Sequence, residues 1–189
     1  KANSEHPIEE IDFTEVDVAI EFTAPELAVK HIHYCVDHNT PIVVGTTAWG
    51  NQLEEVTDYV SKGNGALLHA SNFSIGVNIF FDINRRLAAL MEPHAASYEA
   101  SMEETHHLQK LDAPSGTAIT LANEMMFENK NLTSWVHKEE EVPSVNKGQI
   151  ALTSYRRDGV PGTHKIQYQS EIDTIEIKHT AHNRKGFAM

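Results

Sequence analysis

"VDVAIEFTAPELAVKHIHYCVDHNTPIVVGTT", residues 16–47, carries one full turn of the fold. Its opening, VDVAIEF (16–22), reads as a buried strand. TAPELAVKHIHYCVDHN then reads as a turn and a helix, with Pro25 near the start, Leu27, Ile32 and Cys35 at apolar positions, and Asn39 near the end. PIVVGTT (41–47) is a second buried strand that ends in Gly45, Thr46 and Thr47. Strand, helix and strand in this order predict a right-handed parallel crossover.

The pattern continues outward. QLEEVTDYVSKGNG is a second helix stopped by its glycines, ALLHAS (66–71) a third strand, and SIGVNIFFDINRRLAAL (74–90) a strongly apolar third helix. The strand ends carry small polar groups, Gly45-Thr46-Thr47 and Ser71-Asn72-Phe73-Ser74. Open α/β sheets bind ligands beyond such ends. Between Met91 and Ala96 the pattern changes. SYEASMEETHH reads as a strand, 115–129 as a helix, and 130–148 as a polar loop with part of a strand. QIALTSYR, HKIQYQS and DTIEIKH follow as three more strands. Strands grouped with one helix predict a second, α+β domain.

Composition narrows the function. The chain has 189 residues, 40% of them hydrophobic, and a net charge of −12. That predicts a packed core and argues against a nucleic-acid partner. The apolar runs are too short to span a bilayer, and no signal peptide is visible. Cys35 is the one cysteine. This excludes an internal disulfide and a Cys-based zinc site, and it suits the cytoplasm.

The chemistry concentrates in EETHHLQKLDAPSGTA, residues 103–118. Asp112 or Ser115 can cap the helix that follows, and Gly116 lets a ligand approach the backbone. Free amides at a helix start bind carboxylates or phosphates, and Thr117 adds a hydroxyl. His106 and His107 point apart on extended backbone, and histidine suits proton transfer near neutral pH. Lys110 can fix a carboxylate or give a proton. Arg156, Arg157, His164 and Lys165, around DGVPGT, could add positive charge to an anion pocket. A metal bound by Glu103, Glu104, His106 and His107 is the competing reading. It lacks an HExxH pattern, and adjacent histidines rarely share one ion, so no metal is expected.

Residues 104–118 resemble the signature E-x-H-H-x-x-K-x-D-A-P-S-G-T-A of the dihydrodipicolinate reductase family. EFTAP (21–25), VVGTT (43–47), ASNFSIGVN (70–78), SYRRDGVPGTH (154–164) and HTAHNRKGFA (179–188) resemble further family segments in the same order. Glu21, Ser71 and Asp158 depart from the usual Asp, Pro and Gly.

The resemblance implies an NADH- or NADPH-dependent reduction of 4-hydroxy-tetrahydrodipicolinate to tetrahydrodipicolinate, in the diaminopimelate route to lysine. It implies His106 and Lys110 as catalytic groups and His107, Gly116 and Thr117 as substrate-binding groups. Phe22, Thr23, Gly45, Thr46, Thr47, Ala70, Ser71, Asn72 and Phe73 would bind the cofactor. It also implies a homotetramer.

No GxGxxG occurs in the chain. The expectation is therefore an incomplete Rossmann-like dinucleotide-binding domain over 1–95, without its glycine-rich unit, and an α+β substrate-binding and tetramerisation domain over 96–189 with a missing C-terminal tail. The alternative that follows is a truncated relative, weakly active or non-catalytic, that binds a dicarboxylate or only assembles.

Overall fold

In the computed structural model, residues 6–47 and 49–183 are described. The chain forms two compact units, Lys1–Ser71 and Asn72–Met189.

The first unit contains β1 (Ala19–Glu21), α1 (Pro25–Asp37), β2 (Ile42–Val44), α2 (Leu53–Lys62) and β3 (Leu67–His69). The strands pair in parallel in the order β1-β2-β3, with Glu21 beside Val44 and Val44 beside His69. Pro25 sits at the first turn of α1, where its missing N–H costs nothing. Asn39 takes the left-handed conformation after that helix, at φ 55°. One core joins Ala28, Ile32, Cys35 and Val36 of α1, Ile42 and Val44 of β2, Trp49, and Val56 and Val60 of α2. Ile8 and Phe13, from two short 3-10 turns ahead of β1, pack on it as well. Leu27, placed on the apolar face by spacing, is exposed; Ala28 takes the buried position. Ile20 and Leu68 are also exposed.

The second unit contains α3 (Ile75–Met91), β4 (Glu99–His106), α4 (Gly116–Glu128), β5 (Ser134–Glu139), β6 (Gln149–Arg156), β7 (Gly162–Gln169) and β8 (Thr174–Ala181). Its sheet runs β5-β6-β4-β7-β8. β4 is central, parallel to β6 and antiparallel to β7. Buried and less buried residues alternate along β4, as a sheet covered on one face requires. Val77, Phe80, Phe81 and Ala88 of α3 and Ala118, Leu121 and Met125 of α4 share a core with Ala100, Met102, Ile150, Leu152, Ile166 and Tyr168. Asn84, fully buried on α3, donates to the Leu121 carbonyl of α4 at 3.1 Å. Helix α3, which a boundary at residue 95 assigns to the first domain, thus packs within the second unit. Among the described residues no helix is long and apolar enough to cross a membrane.

Candidate active site

The end of β4 builds the site. Glu104 and His106 lie two residues apart on the strand, so the pleat sends both side chains to one face. The sheet register brings Ser154 of β6 and His164 of β7 beside Glu104, and Arg156 beside His106. Glu104 Oε1 accepts the Ser154 hydroxyl at 2.6 Å and the Ser115 amide at 3.0 Å. Its Oε2 lies 3.5 Å from His106 Nδ1 and 3.6 Å from His164 Nε2.

Charge and burial act on both groups. Burial pushes the Glu104 carboxyl up, but His164, Ser115, Ser154 and the His106 charge outweigh it, and the group stays well below the usual carboxylate range. Burial first, and then the neighbouring charge of His164, push the His106 imidazole down to about 4.

The loop after β4 carries the rest. Lys110 Nζ pairs with both oxygens of Asp112, at 2.8 and 2.9 Å. Arg156 donates to the carbonyl oxygens of Lys110 and Asp112, at 3.3 and 2.8 Å, and so clamps the loop. Ser115 caps α4 by accepting from the Ala118 amide at 3.1 Å, and Asp112 does not serve as the cap. Gly116 and Thr117 open the first turn of α4, whose leading amides have no partner within the helix. His107, half-buried, follows the strand, and its carbonyl closes the turn to the Lys110 amide.

The four further cations separate. Arg156 and His164 stand at the site, whereas Arg157 pairs with Glu140 and Lys165 with Glu103 and Glu176. The proposed metal set also divides, because Glu103 turns to Lys165 on the opposite face. Ligand atoms of Glu104, His106 and His164 do lie within 4.8 Å of one another. The Arg156 guanidinium, 4.0 Å from Glu104, opposes a cation there. Sequence reading missed Glu104 and Ser154 as parts of a proton-handling site. The Glu-x-His spacing on a strand was the available signal for Glu104. Nothing local pointed to Ser154.

In the first unit, Phe22, Thr23, Pro25, Gly45, Thr46 and Thr47 line a concavity of about 250 Å³. Buried Glu21 shapes it by accepting the Thr23 amide at 2.9 Å and the Thr23 hydroxyl. Trp49 Nε1 donates to the Thr46 carbonyl at 2.7 Å and holds the next turn. A Cβ on Gly45 would fall 2.0 Å from the Phe22 ring, so glycine is required for that close approach. Thr46 Oγ1 is buried with no hydrogen-bond partner among the described residues. Ala70 and Ser71 follow β3, and Asn72 and Phe73 precede α3, where Asn72 Oδ1 accepts the Ser74 amide.

Residues 4–73 match the family described as dihydrodipicolinate reductase, N-terminus, and residues 76–189 match dihydrodipicolinate reductase, C-terminus. The 4-hydroxy-tetrahydrodipicolinate reductase of Christiangramia forsetii is 44% identical over 175 residues, covering 93% of this chain and 71% of that protein. The dipicolinate-bound dihydrodipicolinate reductase from Paenisporosarcina sp. TG-14 superposes with a TM-score of 0.64 at 28% identity, over 90% of this chain and 64% of that one. GenD2 from gentamicin A biosynthesis, in complex with NAD, has a TM-score of 0.53 at 10% identity over 87% of this chain and 55% of that one, a likeness of fold alone.

These matches correct two expectations. Residues 4–73 match the N-terminal half of the family and residues 76–189 the C-terminal half, so the expectation of an incomplete dinucleotide-binding domain is corrected: both domains are represented. The fold class is a Rossmann-like α/β domain and an α+β domain. The match rests on the whole of residues 4–73 and not on one short glycine pattern, which the chain does not contain. The lead-in residues Ile8 and Phe13 belong to that first core. The C-terminal stretch 184–189 falls within the matched range and outside the described residues.

Proposed function

The chain belongs to the dihydrodipicolinate reductase family, and on that premise we propose that it reduces 4-hydroxy-tetrahydrodipicolinate to tetrahydrodipicolinate with NADH or NADPH. One observation carries the proposal: buried His106 ends β4, and Lys110 and the capped start of α4 follow it in a single clamped loop.

The residues divide the work as follows. His106 gives a proton to the carbon left negative by reduction. Its imidazole is neutral in the free protein, and a dianionic substrate raises its affinity for a proton. The acid is thereby loaded when substrate is present. Lys110 neutralises charge on the substrate. His107 and the amides of Gly116 and Thr117 hold a carboxylate, as helix starts do.

Phe22, Thr23, Gly45, Thr46 and Thr47 hold the nicotinamide end of the cofactor, and Ala70, Ser71, Asn72 and Phe73 complete the cofactor-binding set. The fit rests on the Gly45 close approach and the unpartnered Thr46 hydroxyl. When bound, the dinucleotide supplies the hydride. The protein works as a homotetramer assembled through the sheet of the second unit, whose outer face carries the Glu103, Lys165 and Glu176 ion pairs.

The test is turnover of the cyclic substrate, followed by loss of reduced-nicotinamide absorbance. His106→Ala is expected to lower kcat on the order of 10²- to 10⁴-fold. A wild-type chain that turns over with neither NADH nor NADPH overturns the assignment.

A further inference from the structure

Behind His106 lies a buried carboxylate that the reaction does not by itself require. Glu104 has no exposed surface. Burying an ionised group is costly unless it is paired and hydrogen-bonded. Two donors satisfy Oε1: the Ser115 amide and the Ser154 hydroxyl. Oε2 has no hydrogen-bond partner within ordinary distance among the described residues, and neither does His106 Nδ1. These two atoms face each other at 3.5 Å.

The surroundings hold the ring in that attitude. His164 stands edge-on to it, with ring centroids 5.1 Å apart, and its own Nε2 is 3.2 Å from Ser115 Oγ and 3.6 Å from Glu104 Oε2. Gly162 runs alongside, where a Cβ would come within 3.2 Å of His106 Nε2 and 3.3 Å of Cδ2. A side chain there would require the ring to give by a few tenths of an ångström. A carboxylate with one oxygen anchored by neutral donors and the other aimed at a histidine nitrogen can do two things. It selects the tautomer with the proton on Nδ1, and it stabilises the doubly protonated ring.

We infer that Glu104 is the positioning residue of this site, acting through His106: it holds the ring by Nδ1, so that Nε2 is the nitrogen that delivers the proton. Ser154 and Ser115 fix Glu104, and His164 buttresses both. The inference rests on the reading of His106 as the proton donor.

Two measurements test it. In the full chain labelled with ¹⁵N-histidine, long-range ¹H–¹⁵N spectra are expected to find neutral His106 as the Nδ1–H tautomer. The Nε2–H tautomer overturns the inference without any variant. The second measurement is the steady-state kinetics of Glu104→Gln across pH. The amide oxygen can still accept from Ser115 and Ser154, but the charge is gone. The expected outcome is a fall in kcat of about 100-fold with KM within threefold, and a lower apparent pKa for the loaded acid.

The double variant His106→Ala with Glu104→Gln should be no slower than His106→Ala, because residues that act as a unit are not additive. Glu104→Gln at the wild-type rate, beside a slow His106→Ala, overturns the positioning role alone. His106→Ala at the wild-type rate overturns the reading of the proton donor. Stoichiometric divalent metal in the purified protein, with activity lost on its removal, would assign Glu104, His106 and His164 to a metal instead.

Discussion

Lys110 Nζ contacts both carboxylate oxygens of Asp112, at 2.8 and 2.9 Å, so the ammonium proposed to meet substrate is already shared in the free protein. Asp112 is exposed, and such a pair contributes at most about 1 kcal/mol. Asp112→Asn should therefore tighten binding of pyridine-2,6-dicarboxylate up to about fivefold. Lys110→Ala should weaken it by on the order of tenfold or more. Calorimetric titration of both variants checks the pair, and weaker binding by Asp112→Asn would show that Asp112 holds Lys110 in place.

Arg156 reaches two carbonyl oxygens of the same loop with one guanidinium. Lysine cannot reproduce that planar fork. Arg156→Lys should raise KM about tenfold with a smaller effect on kcat. Amide hydrogen exchange over residues 107–114 should accelerate, and unchanged exchange would argue that the clamp is not what orders the loop.

The buried imidazole links stability to pH. The His106 group is pushed down to about 4 in the folded protein from an ordinary value of 6.5, so its protonation opposes folding. The stabilisation is complete above pH 6.5 and is lost as pH falls towards 4. Glu104, also depressed, extends the loss to more acidic pH. Melting temperature should fall through this window, and less steeply in His106→Ala. Binding pyridine-2,6-dicarboxylate near pH 5.5 should take up a proton. Calorimetry in buffers of different ionisation enthalpy reads that directly.

A Cβ on Gly45 would fall 2.0 Å from the exposed Phe22 ring, which would have to swing aside to admit a side chain. Gly45→Val should displace the ring and weaken dinucleotide binding by more than about tenfold. Dicarboxylate binding to the second unit should change little. Fluorescence titration with NADH and NADPH separates the two effects.

Cys35 is fully buried in the first core, and burial pushes its thiol up to about 11. Its reaction with a thiol reagent should require unfolding, so the labelling rate should follow denaturant concentration. Rapid labelling of the native protein would contradict this core.

Residue spacing and end signals located the four α-helices, because amphipathic period and caps are local properties, but not the short 3-10 turns at Ile8–Glu10, Phe13–Glu15, Gly50–Gln52 and Glu92–His94. Pro25, Asn39 and Ser115 sit at the helix ends that their chemistry favours. Parallel packing of the first strands was legible, but strand order in the second sheet was not. β4 lies between β6 and β7, and that order makes Glu104 the neighbour of both Ser154 and His164, residues some fifty and sixty positions away in the chain. Nothing local distinguishes Arg156 from Arg157, yet one clamps the site loop and the other pairs with Glu140. Their side chains leave opposite sides of the strand end, and only the sheet decides which side faces the site. The amino-acid sequence by itself therefore determined the α-helices, a helix start at Asp112 or Ser115, and the chemistry available between residues 104 and 118. The tertiary structure alone decided which of those groups share one buried carboxylate, because hydrogen-bond register between distant strands is a non-local property.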